Sequence, residues 1–166
     1  MAFETDPGAG NAADAIHVYD SNPVTENFEF RNIHITGSDR DAIHVESGPE
    51  DVRFYGPKTS GGGDIDRNHV WVDCRDCQIY SGDIRGKVVT GDNSSRNLIE
   101  AHEAPVIEIG GGTYNHVCAK KVNGVDLTFL SGSSGNIVEV LRFGSTANNG
   151  GGGNSAWEWY SQTSVV

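Results

Sequence analysis

The pentapeptide Asp14-Ala-Ile-His-Val18 returns unaltered as Asp41-Ala-Ile-His-Val45, and this internal repeat constrains the fold more than any other feature of the chain. The pattern beneath it is an Asx residue followed by x-apolar-x-apolar. It recurs at Asn68-His-Val-Trp-Val72, Asn97-Leu-Ile-Glu-Ala101, Asn115-His-Val-Cys-Ala119 and Asn136-Ile-Val-Glu-Val140. That gives six rungs, whose starts lie 27, 27, 29, 18 and 21 residues apart. Such variable spacing suits a solenoid whose coils differ in loop length, whereas helical repeats such as ankyrin keep a stricter period. Each of the first five rungs is followed by a polar turn and a second alternating stretch, at 27–36, 51–55, 77–80, 106–109 and 125–129.

Successive strand residues point to opposite faces. Ile16, Val18, Ile43, Val45, Val70 and Val72 therefore point inward, as do Ile99, Ala101, Val117, Ala119, Val138 and Val140. The second stretches add Phe28, Phe30, Val52, Phe54, Cys77, Ile79, Ile107, Ile109, Val125, Leu127 and Phe129. The Asx residue opening each rung suits a turn, and stacked amides can form a ladder. No apolar stretch of period 3.6 survives ten residues, and Gly is 22 of 166 residues, so no helix is expected. A β-sandwich also has short strands between turns, but its strands have no reason to share sequence. The expected fold is all-β: a right-handed parallel β-helix of about six coils over 14–147. A segment at 1–13 precedes it, and a Gly-rich connector with an aromatic tail, including Trp157-Glu-Trp-Tyr160, follows over 148–166. A tail of this kind is expected to cap the open end or to contact another subunit.

The rung pattern over 14–143 resembles the pectate-lyase-like superfamily of right-handed β-helices. That superfamily includes polysaccharide lyases, polygalacturonase-like hydrolases and viral tailspikes. The resemblance implies sugar binding along an outer face. It does not extend to catalytic motifs: only Asp39-Arg-Asp41 echoes the hydrolase elements, and no Arg falls where the lyases need a base.

Outward residues of the first strand read His17, His44, Trp71, Glu100, Cys118, Glu139 in one column and Tyr19, Glu46, Asp73, His102, Lys120, Leu141 in the next. Trp71 can stack on a pyranose while carboxylates and imidazoles bond its hydroxyls. The expected ligand-binding set is His17, His44, Glu46, Trp71, Asp73, Glu100 and His102. Glu46 and Asp73 on adjacent rungs meet the carboxylate spacing of a retaining glycosidase, roughly 5 to 5.5 Å, and form the enzymatic alternative. Otherwise no catalytic residue is assigned, and no nucleophile elbow occurs.

Cys74-Arg-Asp-Cys77 has the spacing of a zinc half-site but lacks a second pair, so no metal residue is assigned. A divalent cation such as calcium or magnesium is the one cofactor the acidic groups suggest, at His17, His44 and Glu46 or at Asp64-Ile-Asp66. With three Cys, at least one thiol is unpaired within a monomer.

A net charge of −11 with four Lys repels phosphate, which sets nucleic acid aside, and it is a composition shared by proteins of salt-loving organisms and by ordinary acidic proteins. No signal peptide or apolar span of 18 residues is present, so neither Sec-type export nor membrane insertion is expected. The resemblance to viral tailspike domains implies a virion-surface or extracellular protein of the spike, turret or fibre type, and the acidic composition extends this expectation to a virus of a halophilic, haloarchaeal host. The same resemblance implies a homotrimer that contacts other virion proteins and binds host-surface glycans.

Overall fold

The computed structural model describes residues 16–19, 26–36, 41–60, 68–148, 150, 152–159 and 163–164. Within them the chain is all-β and contains no helix. Asp14, Asp64 and Asp66, the segment 1–13 and Tyr160 lie outside the described residues.

The early strands are β1 (Ile16–Val18), β2 (Glu26–Arg31), β3 (His34–Thr36), β4 (Ile43–Val45), β5 (Glu50–Tyr55), β6 (Lys58–Ser60), β7 (Asn68–Val72) and β8 (Gln78–Gly82). After them come β9 (Lys87–Thr90), β10 (Leu98–Ala101), β11 (Val106–Ile109), β12 (His116–Phe129), β13 (Ile137–Asn148), β14 (Ser155–Glu158) and β15 (Thr163–Ser164). Every pairing is parallel except that of β14 with β15. The result is a parallel β-solenoid of about six turns.

Two stacks of strands run up the solenoid. The first is β1, β4, β7, β9 and β11, continued by residues 126–129 of β12 and 145–148 of β13. The second is β2, β5, β8 and β10, continued by 116–119 of β12, 137–140 of β13 and then β14. The long strands β12 and β13 turn the corner between stacks through bulges at 119–126. On a third side, β3 pairs β6, and Lys58 bridges on to Asp83.

Ile16 and Ile43 are related by one step of the stack, as the identical pentapeptides require. All twelve first-strand residues expected inside are buried, and so are the second-strand set apart from Phe28, which is half-buried. The Phe30 and Phe54 rings stack at 4.7 Å.

The stacking order corrects the sequence reading at one point. The Asx-opened segments do not form one column of six. Those starting at Asp41 and Asn68 belong to the first stack, and those starting at Asn97, Asn115 and Asn136 to the second. The strand above β7 in the first stack is β9, Lys87-Val-Val-Thr90, which has no opening Asx. The Asx-x-apolar-x-apolar pattern describes a strand leaving a corner, and a coil has more than one corner.

At the corner that opens the second stack, Asp51, Asp76, Arg96 and Tyr114 all have φ between 55° and 56°, and Gly135 and Gly153 follow at 66° and 84°. Each left-handed residue turns the next one inward: Val52, Cys77, Asn97, Asn115, Asn136 and Asn154. The last four form a buried amide ladder. Backbone N–H groups of Cys77, Asn97, Asn115 and Asn136 each donate to the Oδ1 of the Asn one coil above, at 2.7, 3.2, 2.8 and 3.1 Å. Asn154 was not among the rungs read from sequence. It opens β14, whose Ser155–Glu158 stacks in register on Ile137–Val140, so these four residues add a further step to the second stack.

Candidate functional site

The first stack presents an outward row beginning His17, His44, Trp71 and continuing Val89, Glu108, Thr128. The His17 and His44 rings stack at 4.5 Å, and His44 meets Trp71 edge-on at 4.3 Å. Tyr19 flanks His17 at 4.9 Å and is exposed. Rung spacing of roughly 4.8 Å causes these contacts, because it sets in-register rings at packing distance.

Glu46 follows β4, and its carboxylate Oε1 accepts from His17 Nε2 at 2.9 Å. Its side chain is exposed, while His44 is buried with Nδ1 at 3.7 Å from Asp41 Oδ2. Ligand atoms of His17, His44 and Glu46 lie within 4.8 Å of one another. Two imidazoles and one carboxylate suit a borderline divalent ion better than calcium or magnesium, which prefer oxygen-only shells. His69 of β7 shares a hydrogen bond with the buried Thr59 Oγ1 of β6 at 3.1 Å through Nδ1, and burial lowers the His69 pKa.

Asp73 is on this stack but serves a different purpose. It is buried, and its two oxygens accept from Asn93 N at 2.7 Å and Asn93 Nδ2 at 2.8 Å. Gly91 packs so closely that an added Cβ would lie 2.2 Å from Asp73 Oδ1. Asp73 therefore pins the 91–94 turn. A carboxylate occupied in this way is poorly placed to act as the nucleophile that the Glu46–Asp73 alternative requires. Beside it opens a cleft of about 290 Å³ lined by Ser47, Glu50, Asp73, Arg75 and Asn93, among others, with Arg75 Nη1 at 3.7 Å from Glu50 Oε1.

Glu100 and His102 do not join this face. Glu100 lies on the second stack beside Cys118, with Glu139 and Trp157 following on the next rungs. His102 follows β10 and acts electrostatically on Asp83, whose carboxyl is held low mainly by its hydrogen bond to Arg85. The proposed seven-residue set thus divides into His17, His44, Glu46, Trp71 and Asp73 on one stack and Glu100 and His102 elsewhere. The lower part of the second stack carries a row of its own, with Arg31 over the Tyr55 ring at 4.3 Å and Tyr55 stacked on Tyr80 at 5.2 Å.

Among the cysteines, Cys74 and Cys77 form a disulfide, and Cys118 is buried outside it. His116 is the residue that sequence reasoning passed over. It lies two positions before Cys118 on the same outward side of β12, and the His-x-Cys spacing was its available signal.

The fold and this row define a parallel β-solenoid with an aromatic and acidic lateral face. No family model, no curated protein and no solved structure matches the chain.

Proposed function

We propose that this protein is a non-catalytic recognition module of the virion-surface type, a spike, turret or fibre component that binds host-surface glycans along the first stack. One observation carries the reading: His17, His44 and Trp71 form a continuous row of rings on a rigid sheet, with the exposed Glu46 carboxylate at its edge. A sugar ring has an apolar face that matches an aromatic surface and a hydroxyl rim that matches carboxylate and imidazole. The polar cleft at Glu50, Arg75 and Asn93 extends the same edge.

The engagement of both Asp73 oxygens favours binding over cleavage. At −11 the chain repels polyanions at low salt, so neutral glycans in high-salt buffer are the primary ligands to screen. On a glycan array the protein is expected to retain at least one glycan class, and Trp71→Ala is expected to weaken that binding about tenfold, the equivalent of roughly 1.4 kcal/mol. A thermal melt checks that the variant stays folded. Failure of the wild type to bind any glycan, or equal binding by Trp71→Ala, would overturn the proposal. New reducing ends or unsaturated products would replace it with the polysaccharide-cleaving alternative.

Trp157 and Trp159 are exposed at 38% and 49% near the end of the solenoid, and they supply an apolar surface for association between copies. Three copies side by side multiply weak glycan contacts into avidity. Light scattering in high salt is expected to give a trimer that Trp157→Ala/Trp159→Ala disrupts, and a monomeric wild type would remove this part of the reading.

A further inference from the structure

A second cluster, on the opposite stack from the proposed glycan row, has the geometry of a metal site. Strand alternation turns His116 and Cys118 to the same outward side of β12, and the register sets Glu139 of β13 beside Cys118. Three side-chain atoms meet there: Cys118 Sγ to His116 Nε2 is 3.3 Å, Cys118 Sγ to Glu139 Oε2 is 3.3 Å, and His116 Nε2 to Glu139 Oε2 is 3.2 Å. This is a nearly equilateral triangle. Bonds of about 2.0 Å to nitrogen and oxygen and about 2.3 Å to sulfur, at tetrahedral angles, give ligand-to-ligand edges of roughly 3.3 to 3.6 Å. The three atoms therefore already outline one face of a zinc coordination tetrahedron.

A nucleophilic triad does not account for the arrangement. In such a relay the thiol and the carboxylate engage opposite nitrogens of the imidazole. Here both approach Nε2 of His116. Cys118 is also only 4% exposed, which shields it from a substrate.

We propose that His116, Cys118 and Glu139 bind one zinc-class divalent ion. The thiol gives its proton to solvent on binding, and the neutral imidazole and carboxylate complete a three-ligand set, with the fourth position left to water on the solvent side. Thiolate and imidazole together select zinc over calcium or magnesium. The His17, His44 and Glu46 cluster lacks a thiolate and is the weaker competitor. The ion links adjacent coils, since its ligands come from β12 and β13. The inference is independent of the glycan reading and can fail or hold separately.

Cobalt(II) titration of the chelator-treated, disulfide-intact full chain tests it. With Cys74 and Cys77 joined, Cys118 is the one thiol left to produce a thiolate-to-cobalt charge-transfer band. The expected result is one equivalent bound with that band and the intense visible bands of tetrahedral cobalt, both displaced by zinc. Cys118→Ser should abolish the charge-transfer band. His116→Asn and Glu139→Gln should each weaken zinc binding at least about tenfold, because even residues that only support a ligand cost 10- to 100-fold. His17→Ala/His44→Ala should leave band and affinity unchanged. His116→Asn alters a partly exposed strand position, so a melting curve separates lost binding from lost folding. Absence of the band in the wild type, or cobalt binding removed by the His17→Ala/His44→Ala pair, overturns the proposal.

Discussion

Asn136→Ala is expected to lower folding stability by about 3 to 5 kcal/mol, read as a fall in denaturation midpoint with the m-value preserved. The size follows from what the amide holds. Its Oδ1 accepts from Asn115 N at 2.8 Å and from Asn115 Nδ2 at 3.1 Å. Its Nδ2 donates to Gly112 O at 3.0 Å and to Asn154 Oδ1 at 3.0 Å. Alanine removes all four contacts at a position with no solvent exposure, and each orphaned buried polar group costs about 1 to 3 kcal/mol. The lower total allows for water entering the space left behind. Asn136→Asp distinguishes the donor role from the acceptor role. Its buried carboxyl would be held neutral in the fold, with a pKa raised above the unfolded value. The stability that remains would therefore be present at low pH and lost as pH rises through the folded pKa. A loss below about 1 kcal/mol for Asn136→Ala would mean that the ladder does not support the corner.

The inside of the tube was legible in the sequence and the order of its sides was not. Ile43, Val45, Val70, Val117 and Val138 are fully buried, as alternation requires, because the pleat forces every second side chain inward whichever side of the coil a strand occupies. That same indifference hid the stacking. The patterns Asn68-His-Val-Trp-Val72 and Asn97-Leu-Ile-Glu-Ala101 look alike although they lie on different stacks, and Lys87–Thr90, the true neighbour of β7, carries no turn residue to mark it. Asn154 was concealed within a Gly-rich run, yet it lies 18 residues after Asn136, the same interval that separates Asn97 from Asn115. Lateral clusters depend on register between coils. The rung pattern aligned His17 with His44 and Trp71, and Glu100 with Cys118 and Glu139, as the register has them, but it gave no sign that these two runs lie on different stacks. The role of Asp73 depends on where the 91–94 turn folds back, and no spacing rule reports that.

Gly112→Ala is expected to cost about 3 kcal/mol or more, above the usual range of roughly 1 to 3 kcal/mol for overpacking, because the obstruction is partly backbone. A Cβ at this position would lie 2.1 Å from Ser94 Oγ, 2.3 Å from the Ser94 carbonyl oxygen and 3.0 Å from Asn115 Nδ2. Neither oxygen is free to retreat. Ser94 Oγ donates to Gly91 O at 2.6 Å and accepts from Asn115 Nδ2 at 3.0 Å, and Ser94 O accepts from Thr113 N at 2.9 Å. The methyl group must therefore push apart two coils whose separation is fixed by the ladder and the parallel strands. Ser94→Ala in the same chain removes the hydroxyl clash but not the carbonyl clash, so it should restore only part of the loss. Gly152→Ala provides the contrast. Nothing lies within 4 Å of a Cβ there, and its effect should stay within about 0.5 kcal/mol. Equal stabilities for Gly112→Ala and Gly152→Ala in urea denaturation would show that the coils do not approach at this corner, and the amide ladder that depends on the approach would go with it.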